Sequence, residues 1–385
     1  IEKAKELVGE SVQKIEDDLQ RKANDYLVFT IELINSTSLH KSSSTQWKAS
    51  KPDYRFIMDE DIKVRFKLTD LTCLSKRDSI IIFNTEGDYY PVDNAWKGKG
   101  GKVTWERSNY DKDEVFAILP EYEINMTKSE YQAENATFTN KLYFDSPLKG
   151  TLSDKVKYIQ KNESPTYPRF ESYQKNFKIN NLYENLNYEG GLVMHGAKLI
   201  GTGSDDETAK IFIYRKDTLI LIARSNYFGF RADRVTSSNT NIKIILKTDS
   251  IYHPGLMFRY VVTTKELTLS RSEDFTTQSP YYNSYHNIDM SFEQLIWNMN
   301  EPYMKFTAPI GASIGIANFE SANYFNYDNF LEMQGMDAVH PLISIRSFAK
   351  KYGSNEFTAT DYANYLRKSI TQVRQMLMRM SVLGF

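Results

Sequence analysis

The chain has 385 residues, enough for two or three domains, and its 41% hydrophobic and 25% charged content is that of a folded globular protein. The net charge of −1 excludes a global electrostatic attraction to nucleic acid or anionic membrane. The single cysteine, Cys73, excludes an intrachain disulfide, and we expect it to be a buried, small apolar side chain.

Aromatic residues, mostly tyrosine and phenylalanine, make up 14% of the chain. They favour strands, so the bias predicts a β-rich architecture, although an AT-rich genome would give the same bias without a structural cause. The sequence has no run of 18 or more apolar residues, so no transmembrane helix is predicted. The first residue is isoleucine rather than methionine, which suggests a fragment or a processed product.

A single amphipathic helix is predicted for residues 1–34. Apolar residues recur there at three- and four-residue spacing on one face: Ile1, Ala4, Leu7, Val8, Val12, Ile15 and Leu19. The following stretch, 35–53, is rich in serine and threonine and ends near Pro52. We therefore expect a loop or linker after the helix.

Strand signals dominate from about residue 54 to 315. Residues 62–68 alternate apolar and charged side chains, and 79–83 and 218–223 are apolar runs of strand length. Clusters that contain glycine predict turns. These clusters lie at 86–88, 98–101, 190–191 and 201–206.

We predict a mainly β fold with helical ends. The N-terminal helix at 1–34 is followed by β unit 1 at 54–160 and β unit 2 at 189–315. The polar stretch 160–188 is predicted to connect the two β units. Residues 316–385 are predicted to be a helical segment of winged-helix type.

Two stretches of the β region resemble each other, residues 100–138 and 190–236. Both open with Gly-Gly-x-Val, pass an acidic turn and continue into a strand. An aromatic-x-Ala-acid corner follows, Tyr131 to Glu134 in one copy and Phe230 to Asp233 in the other. We interpret these stretches as an internal repeat whose units pack against each other and so bury their apolar faces. A β-solenoid, a β-jellyroll and tandem sandwiches all satisfy this pattern, and shared turn composition is the alternative explanation.

The two copies also end alike, at 144–148 and 252–256, with an aromatic residue, a proline and a leucine. Proline fixes φ and has no N–H, so Pro254 predicts a strand start or a corner, with His253 as a surface residue. The aromatic-x-Ala-acid corner resembles the extended β-jellyroll of the lipopolysaccharide-transport (OstA-type) family. That resemblance implies a jellyroll fold, and it covers too few positions to imply a function.

The last segment, 357–385, resembles a helix-turn-helix of the winged-helix type. It starts with Thr358-x-x-Asp361, a pattern similar to a capping box. The positions that match the winged-helix pattern are Ala363, Leu366, Ser369, Val373, Leu383 and Gly384. The resemblance implies two helices joined by a short turn, with Gly384 at a helix C-cap.

Residues 341–385 carry seven basic and two acidic side chains, a local charge of +5. In DNA-binding winged helices the second helix enters the major groove, where its polar residues face the bases. The candidate contacts for nucleic acid or for a protein partner are therefore Arg367, Lys368, Thr371, Gln372, Arg374 and Gln375. Because winged helices also serve as protein-docking modules, we favour a protein contact or a solvated face over DNA.

No constellation of catalytic or metal-binding residues is recognisable in the sequence. The five histidines, at 40, 195, 253, 286 and 340, lack zinc-ligand spacing, and no cofactor is expected. The stretch 201–208 matches neither a P-loop nor an EF-hand; it predicts a hairpin loop, with a calcium-binding turn as the alternative. Some aromatic residues could stack on sugar rings, although packing in the core is the more frequent role. These residues are Trp47, Trp96, Trp105, Tyr281 and Tyr282.

We therefore predict a non-enzymatic structural or protein-binding component, part of a larger bacterial envelope protein or assembly, located in the periplasm or cell envelope of a bacterium. Its expected partners are other protein subunits. The first alternative is a carbohydrate-binding or carbohydrate-active protein. The second is a DNA-binding regulator that acts through the C-terminal helix-turn-helix. Because this alternative ranks last, nucleic acid is the least favoured partner.

Overall fold

A computed structural model describes residues 2–58, 62–75, 78–157, 164–204, 207–271, 278–308, 316–322, 327–334 and 339–382. Strands make up 52% and helices 20%, so the protein is mainly β, with antiparallel strands and helices at both ends, as predicted. The chain forms two compact units. The first comprises Ile1–Phe177 with Gly191–Ile200, and the second comprises Lys178–Gly190 with Gly201–Phe385.

The predicted N-terminal helix is confirmed as α1, Glu2–Ser36. Its last turns pack on the strands through Phe29 and Leu33, and the Phe29 ring lies 5.0 Å from that of Tyr89. The strands before residue 173 are β1 (Ser38–Lys41), β2 (Gln46–Ala49), β3 (Tyr54–Met58), β4 (Ile62–Ser75), β5 (Asp78–Tyr90), β6 (Ala95–Lys99), β7 (Lys102–Thr104), β8 (Val115–Ile118), β9 (Glu121–Asn125), β10 (Glu130–Asn140), β11 (Leu148–Lys155) and β12 (Arg169–Ser172). A short 3₁₀-helix spans Glu106–Ser108.

The prediction of a loop at 35–53 is wrong, because the hairpin of β1 and β2 occupies most of it. Serine and threonine made the stretch look loop-like, but its apolar residues Leu39, Trp47 and Ala49 are all buried. Strand β2 also pairs with β4, so the hairpin extends the sheet. Burial of a few alternating side chains therefore outweighs the polar composition of this stretch.

Long strands of the first unit bend at β-bulges and change partners there. The register between β4 and β5 shifts around Thr69, and the register between β10 and β11 shifts between Ala133 and Ala136. Beyond the bulge, β10 pairs with β8. Such bends let one strand contribute to two sheets that enclose the same core.

Two glycines that were predicted to mark turns lie inside strands instead. Gly87 of β5 is directly opposite Gly98 of β6. A Cβ atom on Gly87 would lie 2.7 Å from the Trp96 ring, and one on Gly98 would lie 2.3 Å from the ring of Tyr122. The glycines therefore leave room for two large rings, and the turn follows at Gly100, whose φ is +68°.

The later strands are β13 (Phe177–Tyr183), β14 (Leu186–His195), β15 (Lys198–Thr202), β16 (Ala209–Arg215), β17 (Thr218–Ser225), β18 (Tyr227–Arg231), β19 (Arg234–Leu246), β20 (Asp249–Val261), β21 (Glu266–Ser270), β22 (Tyr281–Asn283), β23 (Ile288–Ser291), β24 (Gln294–Asn298), β25 (Lys305–Thr307) and β26 (Asn318–Ser321). The C-terminal helices are α2 (Tyr327–Gln334), α3 (Pro341–Tyr352), α4 (Ala359–Leu366) and α5 (Ile370–Val382). Strands β12 and β13 fall within the predicted connector 160–188, so this polar stretch also contributes strands to the β structure. The four-part domain division as a whole stays a prediction.

The second unit repeats the use of bent strands. Strand β19 pairs first with β18 and then, beyond bulges between Ser237 and Ile242, with β17. The predicted match of the aromatic-x-Ala-acid corners is wrong. The corner 131–134 lies at the bulge of β10, whereas 230–233 includes the hairpin turn between β18 and β19. An internal repeat of the sequence therefore stays a prediction.

Candidate functional site

The C-terminal helices α3, α4 and α5 form a small module with its own apolar core. Phe348 of α3, Tyr362 and Ala363 of α4, and Val373 of α5 are the buried residues of this cluster. The ring of Phe348 lies 5.3 Å from that of Tyr362. The buried sides of the last two helices thus meet in the core of the module, and Ala363 and Val373, two of the positions that match the winged-helix pattern, belong to it.

The turn between α4 and α5 has the helix-turn-helix form that the sequence resembles. The predicted capping box is confirmed: the Thr358 hydroxyl accepts from the Asp361 N–H at 3.1 Å, and the Asp361 carboxylate accepts from the Thr358 N–H. Three residues, 367–369, separate the helices, and Arg367 takes the left-handed conformation with φ +54°. A turn of three or four residues is typical of helix-turn-helix units.

All six predicted contact residues are exposed on this module. Thr371 and Gln375 lie on the side of α5 opposite the buried Val373, and Arg374 lies on the flank between the two sides. Gln372 has a second role, because its side-chain oxygen accepts from the N–H of Ser369 at 3.3 Å while the Ser369 hydroxyl accepts from the Gln372 N–H. The other two, Arg367 and Lys368, lie in the turn. The predicted positions Leu383 and Gly384 lie outside the described residues.

The end of α5 is attached to the β part of the second unit at Ser279. The Ser279 hydroxyl bonds the hydroxyl of Ser381, and it also donates to the Ser381 carbonyl at 3.3 Å. The carbonyl of Ser279 accepts from Arg271 at 2.9 Å and lies 2.8 Å from Nε2 of His253. This attachment positions the helical module.

His253 is fully buried in β20, so the prediction of a surface residue at a corner is wrong. Its Nδ1 accepts from the N–H of Gly255 at 3.1 Å, which makes Nε2 the protonated nitrogen that donates to Ser279. Burial lowers the pKa of His253 to about 4. Pro254 lies inside the strand, where the register with β19 shifts, and a bulge is one of the few places in a sheet that accept proline.

An ion cluster around the buried carboxylate of Asp154 lies in the first unit. Arg107 donates to Asp154 at 2.9 Å and to Asp78 at 2.8 Å. Burial of Asp154 outweighs its attraction to Arg107, so the pKa of this carboxyl rises to about 6. Cys73 is fully buried, as predicted, and burial raises the pKa of its thiol to about 12. A thiol in this state is a poor nucleophile near neutral pH.

Four of the five aromatic residues considered for sugar stacking are in the core. Trp47, Trp96, Trp105 and Tyr281 are all buried, and Tyr282 alone of the five is exposed. Tyr281 stacks on Phe292 at 4.4 Å and contacts His253. Packing in the core, the role favoured from the sequence, is therefore confirmed for these four side chains, because large rings fill the space between the sheets.

The remaining polar candidates have structural contacts. Nδ1 of His40 lies 2.8 Å from the side-chain oxygen of Asn94, and His340 caps α3 by accepting from the N–H of Leu342. Within the described ranges, no three His, Cys, Asp or Glu side chains are grouped so that they could hold a metal ion. Asp205 and Asp206, the acids of the proposed calcium-binding turn, lie outside these ranges.

Helix α1 presents an apolar stripe to solvent. Leu27, Ile31 and Ile34 are spaced by one helical turn and are 60%, 59% and 65% exposed. Leu19 and Val12 continue the stripe, at 61% and 48% exposure. An open groove of about 750 Å³ lies between the opposite side of α1 and the β1–β2 hairpin, lined by residues such as Tyr26, Phe29 and His40.

No known protein-family model matches this sequence, and no curated protein is significantly similar to it. Among the helices of the described residues, none is both long enough and apolar enough to cross a membrane.

Proposed function

We propose that the chain is a non-enzymatic structural or protein-binding component that acts through protein–protein contacts. The observation that carries this proposal is the apolar stripe of α1, which consists of Val12, Leu19, Leu27, Ile31 and Ile34. Each of these side chains keeps about half or more of its surface in water. A row of exposed apolar side chains is a frequent sign of a protein–protein contact, because its burial stabilises the complex.

The chemistry of the buried polar groups supports a role without catalysis. The clusters around Asp154 in the first unit and His253 in the second each connect strands and helices of their own unit through short hydrogen bonds. Neither cluster places a nucleophile beside a base, and the thiol of Cys73 is held in its protonated form by burial.

Site-specific photocrosslinking in the source organism tests the proposal. A photoreactive amino acid at Ile31 is expected to give a discrete covalent adduct with another protein chain. The matched control places the same amino acid at Lys22, an exposed polar residue on the opposite side of the same helix. Adducts that are equally frequent at both positions would contradict a contact through the stripe, and turnover on a glycan panel would contradict the absence of catalysis. The envelope location stays a prediction that cell fractionation would test.

A second candidate function is DNA binding, which the exposed basic turn between α4 and α5 favours. Arg367 and Arg374 lie on this surface, beside the polar residues of α5. If it binds DNA, affinity falls steeply with salt and falls further in Arg374→Ala, because each phosphate contact releases counterions. Arg346→Ala, which changes an exposed arginine of α3, is the control. Absence of binding at low salt would end this candidate.

A further inference from the structure

Strand β3 leaves one edge without a partner strand among the described residues, since it pairs with β4 alone. On one face of this edge, Arg55 lies directly opposite Arg65. Arg65 already binds Asp88 through two hydrogen bonds of 2.7 and 2.9 Å. Arg55 makes no ion pair among the described side chains, so the edge ends in two adjacent positive charges.

Strand β26 leaves a comparable edge of opposite charge. Within the described part of the chain it pairs with β23 alone, and all four of its residues are exposed. Glu320 lies directly opposite Asp289. Burial, and then the charge of Glu320, raise the pKa of Asp289. This edge therefore ends in two adjacent carboxylates.

The other face of both edges carries an exposed aromatic ring that continues a packed row. Phe56 of β3 lies 5.7 Å from the ring of Tyr54 and is 38% exposed. Phe319 of β26 lies 6.1 Å from Phe306, which stacks on the buried Phe292, and is 51% exposed. An added strand with an aromatic residue at the matching position would extend either row.

We propose that β26 of a second copy of this chain pairs antiparallel with β3. Placing Arg55 opposite Glu320 sets the register, and the same register places Phe56 opposite Phe319. One register gives both matches, because neighbouring residues of one strand lie opposite neighbouring residues of the other. Side chains alternate between the two faces of a strand, so the charged pair lies on one face and the aromatic pair on the other. The inference rests on the proposed role in protein–protein contacts and names one partner for it.

The choice of a second copy follows from the charges. The proposed register places Arg55 beside Glu320, with Arg65 on the next strand on one side and Asp289 on the next strand on the other. The positively charged pair therefore faces the negatively charged pair across the contact. Unpaired N–H and C=O groups of an edge strand bind an added strand through main-chain hydrogen bonds. The contact uses a different surface on each partner, so it can recur from copy to copy.

Charge reversal combined with sedimentation velocity tests the proposal. The unchanged protein is expected to associate as its concentration rises. Arg55→Glu and Glu320→Arg should each raise the dissociation constant roughly ten-fold, since attraction becomes repulsion. A mixture of the two variants, or the double variant Arg55→Glu/Glu320→Arg, should restore association. A protein that stays monomeric up to high concentration, or single variants that associate normally, would overturn the proposal.

Disulfide trapping between two differently tagged chains tests the register. Phe56→Cys in one chain and Phe319→Cys in the other should form an intermolecular disulfide. Phe56→Cys with Glu320→Cys should not, because these side chains lie on opposite faces. The native Cys73 is buried and does not compete. Absence of a disulfide between the two differently tagged chains would refute a contact between copies in this register. Crosslinking at Ile31 of α1 uses a separate surface, so it can fail or succeed independently of this test.

Discussion

Replacing His253 by phenylalanine tests the buried polar cluster of the second unit. The phenylalanine ring keeps most of the volume but removes the acceptor for Gly255 and the donor to Ser279. Ser279 retains its bond from Arg271, so the main cost is the buried N–H of Gly255. A buried donor without a partner costs about 1–3 kcal/mol, so we expect a loss of about 2 kcal/mol at pH 8.

The pH dependence of this difference is the sharper result. The pKa of His253 is lowered to about 4 in the folded protein, against about 6.5 in the unfolded chain. The unfolded chain therefore binds more protons, and the stability contributed by neutral His253 is lost as pH falls from 6.5 toward 4. The loss at pH 5 amounts to about 2 kcal/mol in the unchanged protein and is absent from the variant.

Urea unfolding followed by circular dichroism at pH 8, 6 and 5 measures the effect. The two proteins should differ by about 2 kcal/mol at pH 8 and by about zero at pH 5, and the variant should be the more stable below that. His286→Gln, which changes an exposed histidine, is the control and should leave the pH profile unchanged. If the free energies of unfolding of His253→Phe and the unchanged protein differ by the same amount at every pH, the histidine is not buried in its neutral form.

Three further predictions concern Asp154, Gly98 and Cys73 of the first unit, and Gly229 of the second unit is the control for Gly98. Because the folded pKa of Asp154 is raised, its contribution to stability should grow by about 1 kcal/mol from pH 7 to pH 5, and Asp154→Asn should abolish that growth in urea unfolding. Gly98→Val should lower stability by about 1–3 kcal/mol, because its Cβ would overlap Trp96, whereas Gly229→Ala should lower the melting temperature little. Cys73 should resist iodoacetamide at pH 8 until urea unfolds the chain, and rapid labelling of the folded protein would contradict its burial.

The C-terminal module was the most predictable part of the candidate site. The spacing of Val373 from the polar residues around it is enough to assign one buried and one exposed side of α5. The Thr358–Asp361 capping box is likewise a local pattern. The left-handed turn residue Arg367 was not predictable, because glycine is the usual residue in that conformation and arginine gives no signal.

The β region was less predictable because burial there depends on strands that are far apart in sequence. His253 looks like a polar surface residue beside a proline until β20 is paired with β19 and packed under Tyr281. Likewise Gly98 looks like part of a turn until Trp96 and Tyr122 are seen to need its space. Neither neighbour relation can be derived from local spacing.

Features that depend on near neighbours along the chain were predictable from the sequence: α1, the mainly β composition, the capping box and the helical end. Three-dimensional packing was needed to show which aromatic residues are in the core, which polar residues are buried, and which strands pair on one side alone among the described residues. The charges of Arg55 and Glu320 suggest a contact only because β3 and β26 each pair with one strand among the described residues. The physical reason is that a helix satisfies its main-chain hydrogen bonds locally, whereas a strand needs a partner that any distant segment can supply.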